Sequence, residues 1–443
     1  MIERPQPRSG NHGRRTAALG HARLRRHPLG GYRYVRWRWR LLFALVDVLG
    51  TALFAAAGSL AALWRRIVPA RRGKSKTTRR ILVVQLDHLG DAIITAPIFA
   101  LLKQRYPGAR IEVLAAPWNR RVFDLIAEVD RVHVCSKNRF APRPGLSWIP
   151  AVLAWGLRMR RRRFDLAIDV RGEFPHNVLL WLCGARRRVG WGSGGGGFLL
   201  TDRAAYVSDR PELESRMALL ERLGIDAGES GRRPLPRIHP TEAANDFARS
   251  AWRQASPERN VHRVVIHVGA GTAAKRWPVE HWRALLAGLA ARGGVAVALV
   301  GAESDTATAR AILGSRPWPV VDWTGRLEIA ELAAVLHQAD LAVGADSGPA
   351  HLAAAVGTPV VVLFSGTNRV EQWRPQGAMV QTLRHPVACA PCHRRQCPVA
   401  SQPCMRGIRP ADVLRAIENL LAATAGRGED RSALAPAKRG AEQ

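Results

Sequence analysis

ADSGPAHLAAAVGTP, Ala345 to Pro359, is the stretch on which the reading of the chain turns. DLAVGAD, Asp340 to Asp346, is an apolar run of strand length, and PAHLAAAV, Pro349 to Val356, reads as a helix. Asp346, Ser347 and Gly348 therefore stand on the tight turn between a strand and a helix, at the carboxyl edge of a sheet. Pro349 suits the first helical turn, where its missing N–H would be unpaired anyway. The free N–H groups of that turn and the helix dipole make an anion site. Gly348 allows close approach to the backbone, and a diphosphate is the anion expected. Taken alone, the stretch fits equally well a plain N-cap at Asp346 or Ser347, with His351 a satisfied surface histidine.

The pattern extends on both sides. From Val261 the chain reads VVIHVGAG, a helix near Val279 to Arg292, VAVALVG, a helix near Ser304 to Leu313, PVVDWTG and a helix at Glu328 to His337. PVVVLFS follows the opening stretch as a further strand. An earlier series begins at ILVVQL, Ile81 to Leu86, then a turn with Gly90 and Asp91, and a helix from about Ile93 to Arg105. ARIEVLAAP, a helix at RVFDLIAEV, VHVC and FDLAIDV continue it. Strands alternating with helices mean parallel sheets with crossover helices. The polar stretch from about Arg203 to Asn260 separates the two series as helix and linker. Two Rossmann-like, doubly wound α/β domains facing a cleft are expected, with ligands at the carboxyl ends of the strands.

Two further stretches reach that edge. HVGAGTAAKRWP, His267 to Pro278, supplies a loop of small residues, with Gly269, Thr272 and a single lysine, Lys275. The chain has six lysines against 61 arginines. A compact ammonium suits a phosphate oxygen, although a solvated loop lysine would look the same. In the other domain QLDHLGDAIITAP, Gln85 to Pro97, puts Asp87, His88 and Asp91 on the first strand-to-helix turn. A carboxylate there can take a proton from an attacking hydroxyl; the plain alternative is an N-cap.

These stretches together resemble the ADP-heptose–lipopolysaccharide heptosyltransferases, glycosyltransferase family 9. The resemblance covers roughly residues 79 to 425. It is carried by LGD-x-I-x-x-x-P (Leu89 to Pro97), LKQRYPGARIEVL, HVGAG…KRWP-x-E-x-W (His267 to Trp282), GAESD, WTGRLEIAELAAVL, DSGPAHLAAAVGTPVVVLFSGT and W-x-P (Trp373 to Pro375). It implies a GT-B fold and an inverting, metal-independent transfer from ADP-heptose to a hydroxyl of a glycolipid acceptor, the lipopolysaccharide core. Carried over motif by motif, Asp91 is the general base and Lys275 holds the diphosphate. Gly269, Thr272, Asp346, Ser347, Gly348 and His351 line the donor pocket, and His88, Asn119, Arg120 and Arg171 are placed on the acceptor side. No cofactor is required. Family members often carry arginine where Gln85 stands, so a phosphate or acceptor contact is in question there. A relative using another nucleotide sugar is the alternative.

The net charge of +32 is concentrated at one end: residues 1 to 80 hold 19 basic and 2 acidic residues. Within them lies LLFALVDVLGTALFAAAGSLAALW, Leu41 to Trp64, 24 residues with one charge, Asp47. At about 1.5 Å per residue it has the length to cross a bilayer. Basic flanks on both sides favour a helix lying in the cytoplasmic interface over a span; a core helix packed on the domain is the third possibility. The expectation is a cytoplasmic enzyme, peripheral on the inner face of the inner membrane. RMRRRRFD, Arg158 to Asp165, either adds a surface for an acidic acceptor or is a solvated helix end.

Two other classes fare worse. No G-x-G-x-x-G follows the first strand of either series, which argues against a dehydrogenase. No nucleic-acid-binding module accompanies the charge, so no nucleic-acid partner is expected. Cys389, Cys392, Cys397 and Cys404, at C-x2-C-x4-C-x6-C, are candidates for a structural zinc site, with free thiols the alternative. The expected layout is an extension over 1–78, partly disordered, with its helix at 41–64; an acceptor domain over 79–255; and a nucleotide-sugar domain over 261–385. A cysteine-containing tail with a return helix follows over 386–425, and a disordered end over 426–443.

Overall fold

RILVVQ and HRVVIH, the apolar runs that open the two series, become strands β1 (Arg80–Gln85) and β7 (His262–His267) at the middle of two parallel sheets. The computed structural model describes residues 37–67, 78–135, 147–226, 234–256, 261–315 and 319–425. The ends expected to be disordered, 1–40 and 426–443, lie outside the described residues except for 37–40, which open a helix.

The first half holds α1 (Trp37–Ile67), β1, α2 (Leu89–Arg105), β2 (Arg110–Ala115), α3 (Arg120–Phe123), β3 (Arg131–Val134) and α4 (Ile149–Arg160). It continues with β4 (Leu166–Asp169), α5 (Phe174–Leu182), β5 (Arg187–Trp191), β6 (Asp202–Ala204), α6 (Glu212–Glu221) and α7 (Glu242–Ala255). The second half holds β7, α8 (Val279–Arg292), β8 (Val295–Val300), α9 (Thr306–Leu313), β9 (Val320–Asp322), α10 (Ile329–His337), β10 (Leu341–Ala345) and α11 (Gly348–Ala355). Then come β11 (Val360–Phe364), α12 (Val370–Trp373), β12 (Val380–Arg384), α13 (Pro403–Arg406) and α14 (Pro410–Ala425).

The first sheet runs β3-β2-β1-β4-β5-β6 and the second β12-β11-β10-β7-β8-β9. The strand order reverses between β1 and β4 in one and between β7 and β10 in the other. Loops leaving adjacent strands on opposite sides of such a point open a crevice at the carboxyl edge. Residues 81–85 of β1 are fully buried, as the unbroken apolar run requires of a strand covered on both faces. One core lies under α4 and α5, with Val152, Met159, Leu179 and Leu180 against Leu82 and Val84. A second continuous core runs from the other face of this sheet into the second domain, joining Ile93, Ile98 and Phe99 to Ala350, Leu352 and Phe364.

Two boundaries differ from the sequence reading. Helix α7, grouped there with residues 79–255, packs on α10 of the second domain. Its Trp252 is fully buried, donates its indole N–H to the Val335 carbonyl at 3.3 Å and stacks edge-on against Trp323 at 5.1 Å. The last helix, α14, packs on α8 of the second domain, and Trp277 donates to the Ile408 carbonyl at 3.0 Å to fix the approach to it. In each case apolar burial, which outweighs chain proximity, selects the partner.

Candidate active site

All four loops at the two reversal points converge. Asp91 lies in the first turn of α2, which starts four residues earlier than the sequence suggests, with His88 as an N-cap that makes no side-chain cap bond. Asp91 is thus not the cap. Its carboxylate accepts from Arg216 Nη2 at 3.0 Å. Across the crevice the N-terminus of α11 abuts α2: a Cβ built on Gly348 would stand 2.4 Å from Leu89 Cδ2, and one on Gly90 would stand 3.0 Å from His351 Cδ2. Glycine at 348 is therefore what lets the two domains meet at this point.

Neither expected N-cap candidate caps α11. Ser347 is the N-cap residue by position, but its hydroxyl donates to the Ala345 carbonyl at 3.1 Å and lies 3.3 Å from His267 Nδ1. Asp346 is 4% exposed and its Oδ2 accepts from Lys275 Nζ at 2.6 Å and Asn368 Nδ2 at 3.1 Å. The α11 turn is thus left without a side-chain cap, and the lysine stands beside it. His351 is buried next to both acids. Burial lowers its pKa from the ordinary histidine value, against the pull of Asp346 and Asp91, and Lys275 and Arg216 add to the lowering. The structure so brings together Asp91, Lys275, Asp346, Ser347, Gly348 and His351.

The loop after β7 is more structural than its composition suggests. A Cβ at Gly269 would stand 2.1 Å from Asp305 Oδ2, so this glycine makes room for a carboxylate that holds the Ala302 N–H at 3.0 Å. Thr272, in contrast, has a buried hydroxyl with no hydrogen-bond partner among the described residues. The cysteine tail braces this loop. Gln402 Nε2 donates to the carbonyls of Ala273 and Ala274, and Ala274 N–H donates to the Arg395 carbonyl.

The acceptor-side residues scatter. His88 is exposed at the cleft. Arg171 ion-pairs with Asp87 and Glu173 across the loop after β4. Asn119 is fully buried and its amide is spent on the Ala116 N–H and the carbonyls of Gln85 and Asp87, so it shapes the turn instead of facing a ligand. Arg120 sits on the surface, 3.8 Å from Asp124. Gln85 is buried and donates to Thr95 Oγ1 at 3.4 Å. Cys389 is exposed, Cys404 buried, and all four tail cysteines are free thiols. Among the described residues no group of three or more His, Cys, Asp or Glu side chains is placed to hold a metal ion.

Four residues given no role in the sequence reading complete the site. Arg216 is 2% exposed and spreads its guanidinium over Asp91, Thr95 Oγ1 at 2.9 Å and Glu212 Oε2 at 2.7 Å. Glu212 also accepts from Gln372 Nε2 at 2.8 Å, a bond that crosses between domains. The signal was available: a Glu–Arg pair at i, i+4 inside ELESRMALLE, set among Leu213, Met217 and Leu220. Arg216→Met is expected to cost about 3–5 kcal/mol in denaturant unfolding, because it strands a buried carboxylate at Glu212. Arg216→Lys, with one ammonium for three acceptors, should recover only part of that.

His267 is the fourth. Burial lowers its pKa to about 4, against the pull of Asp305. The folded state therefore stays neutral where the unfolded imidazole protonates, so stability is full above about pH 6.5 and falls as pH drops toward 4. At about 1.4 kcal/mol per unit the loss approaches about 3 kcal/mol. His351 shifts the same way. Thermal unfolding from pH 7 to 4 should show this slope, and His267→Asn should flatten it.

Comparison with known proteins places this arrangement. Residues 152–402, more than half of the chain, match the profile of glycosyltransferase family 9 (heptosyltransferase). The chain belongs to that family. A family 9 chain is a glycosyltransferase, and the matched residues include Lys275, Asp346 and His351 but not Asp91. Lipopolysaccharide heptosyltransferase 3 of Escherichia coli K12 is 27% identical over 297 residues, 65% of this chain and 82% of that relative. Among solved structures, E. coli ADP-heptose lps heptosyltransferase II superposes with a TM-score of 0.64 at 22% identity, over 78% of this chain and 99% of that one. An E. coli heptosyltransferase solved with ADP gives 0.57 at 18% identity, over 79% and 98%. The GT-B fold expected for family 9 is the fold observed.

Proposed function

We propose that this glycosyltransferase moves a heptose from ADP-heptose to a hydroxyl of a lipopolysaccharide core acceptor, with inversion and without a metal. One observation carries the reading: a carboxylate on one domain, Asp91, and a lysine beside an uncapped helix N-terminus on the other stand around the same buried histidine, His351. Asp91 removes the proton as the acceptor oxygen attacks the anomeric carbon from the face opposite the diphosphate. The carbon–oxygen bond to the diphosphate breaks and its electron pair leaves with ADP. Lys275 and the Gly348 N–H at the start of α11 take up that charge; donors fixed in advance lower the barrier most where charge develops. A single displacement inverts the sugar carbon and needs no protein nucleophile. The Thr272 hydroxyl is a further donor to the nucleotide.

The names of the relatives support the sugar and acceptor, and the similarly folded enzyme solved with ADP supports the nucleotide. The test is a melting-temperature screen with ADP, UDP, GDP and CMP, followed by transfer from ADP-heptose to purified core acceptor. A ligand that binds only the folded state raises the melting point by mass action. A selective rise with ADP and formation of the transfer product are expected. A response to UDP or GDP alone would replace the donor and keep the chemistry.

A further inference from the structure

Helix α1 is docked on the first domain by one face and leaves its leucines on the other. Phe43, Asp47, Gly50 and Phe54 follow one another along the inner face. Phe43 meets Phe174 with ring centroids 5.6 Å apart, and Phe54 meets Phe198 at 5.3 Å and Trp181 at 5.9 Å. A Cβ on Gly50 would strike the Phe198 ring at 2.3 Å, and Asp47 Oδ1 accepts the Gly196 N–H at 2.7 Å. The one charge of the apolar segment is therefore used on the protein. Among the described residues no helix is long and apolar enough to cross a membrane. Leu42, Leu45, Leu49 and Leu53, at helical spacing on the opposite side, are 46–70% exposed. An apolar row of this kind on a protein surface marks an interaction site.

The row has a neighbour of complementary character. Helix α5 meets α1 through Phe174 and Trp181 and packs beside α4, whose Leu153 and Leu157 are also exposed. Leu153, Leu157 and Arg161 follow at i, i+4 and i+8, so this side of α4 passes from apolar to cationic. It ends at a recess of about 530 Å³ lined by Arg80, Arg131, His133, Arg158, Arg161 and Arg162. Glu112, the acid beneath it, is buried and already paired with Arg162 at 2.6 Å and His133 at 2.6 Å. Five guanidinium groups against one carboxylate leave the recess strongly positive.

We propose that α1 and the outer side of α4 dock on the surface of a bilayer containing anionic phospholipid, with the leucines among the acyl chains and the arginine recess on lipid phosphates. An apolar helix face beside basic residues is what such an interface holds. A second copy of the chain is the poorer occupant, because it would bring a like-charged recess and a like net charge of +32. The face lies outside the catalytic crevice, and its test requires neither donor nor acceptor.

The full chain is sedimented with vesicles of phosphatidylcholine alone or mixed with phosphatidylglycerol, at low salt and at about 1 M salt, where screening reaches within about 3 Å. Wild type should bind the mixed vesicles at least about tenfold better than the neutral ones at low salt. It should retain a salt-resistant fraction, which Leu45→Gln/Leu49→Gln/Leu53→Gln lowers by about tenfold or more at unchanged melting temperature. Arg158→Glu/Arg161→Glu should lower low-salt binding to mixed vesicles by a similar factor. The proposal fails if the triple variant binds like wild type at high salt, or if the double variant keeps the wild-type preference for phosphatidylglycerol. It also fails if light scattering without lipid shows a wild-type dimer that the triple variant dissolves, since the face would then belong to a second copy.

Discussion

Asp91→Asn is expected to lower the rate of heptosyl transfer by about 10²–10⁴-fold, the range a positioned general base supplies. The substitution is close to isosteric. The amide oxygen can still accept from Arg216, which the carboxylate does at 3.0 Å, so the stability cost should be about 1–2 kcal/mol. What is lost is the capacity to take a proton. Binding of ADP, measured by calorimetry, should change little, because the diphosphate is assigned to the opposite wall. A variant that folds normally and turns over at a near-normal rate would remove Asp91 from the base role, and another acceptor of the proton would have to be found.

Lys275→Ala is the second large effect. Its side chain is 17% exposed and its ammonium is held 2.6 Å from Asp346, so the cation is positioned before any ligand arrives. Removing it takes away the charge that meets the departing diphosphate. It also leaves Asp346 as a nearly buried carboxylate held by Asn368, facing that same group. Both changes act in the same direction. A fall of about 10²–10³-fold in kcat/KM, with weaker ADP binding, is expected. Lys275→Arg should recover part of it: the charge remains, but the planar group cannot serve as a compact point donor. Unchanged ADP affinity and turnover in Lys275→Ala would place the diphosphate elsewhere.

Much of the fold was legible because parallel strands covered on both faces read as unbroken apolar runs, and Val279–Arg292 was read with the bounds observed for α8. RVFDLIAEV was read as a helix, yet only Arg120–Phe123 is helical and turns follow, as Leu125 and Ile126 are pulled into the core. β5 and β6 were not read, because Arg187, Arg188 and Arg203 hide their pattern. At the site, residues on strand-to-helix turns were recognised, since glycine, proline and acid cluster there. Arg216 and Gln372 were not, because their roles depend on which helix faces which, and local sequence carries no record of that. Asn119 shows the reverse: a polar residue on a cleft loop looks like a ligand contact until its three hydrogen bonds to the backbone are seen.

The bond from Asp47 to Gly196 fixes more than the resting place of a helix. A helix on a slack linker sets how far a catalyst can stray, but leaves it free to tumble. A helix joined to its domain by three aromatic contacts and a half-buried hydrogen bond transmits direction as well. The N-terminal end of α5, against which Phe43 rests, lies at the carboxyl edge of the sheet, beside the loop that carries Arg171. Whatever plane α1 lies along, the mouth of the crevice keeps a constant angle to it. Rotational search, a large part of the entropy of bringing two reactants together, is then reduced to motion within that plane.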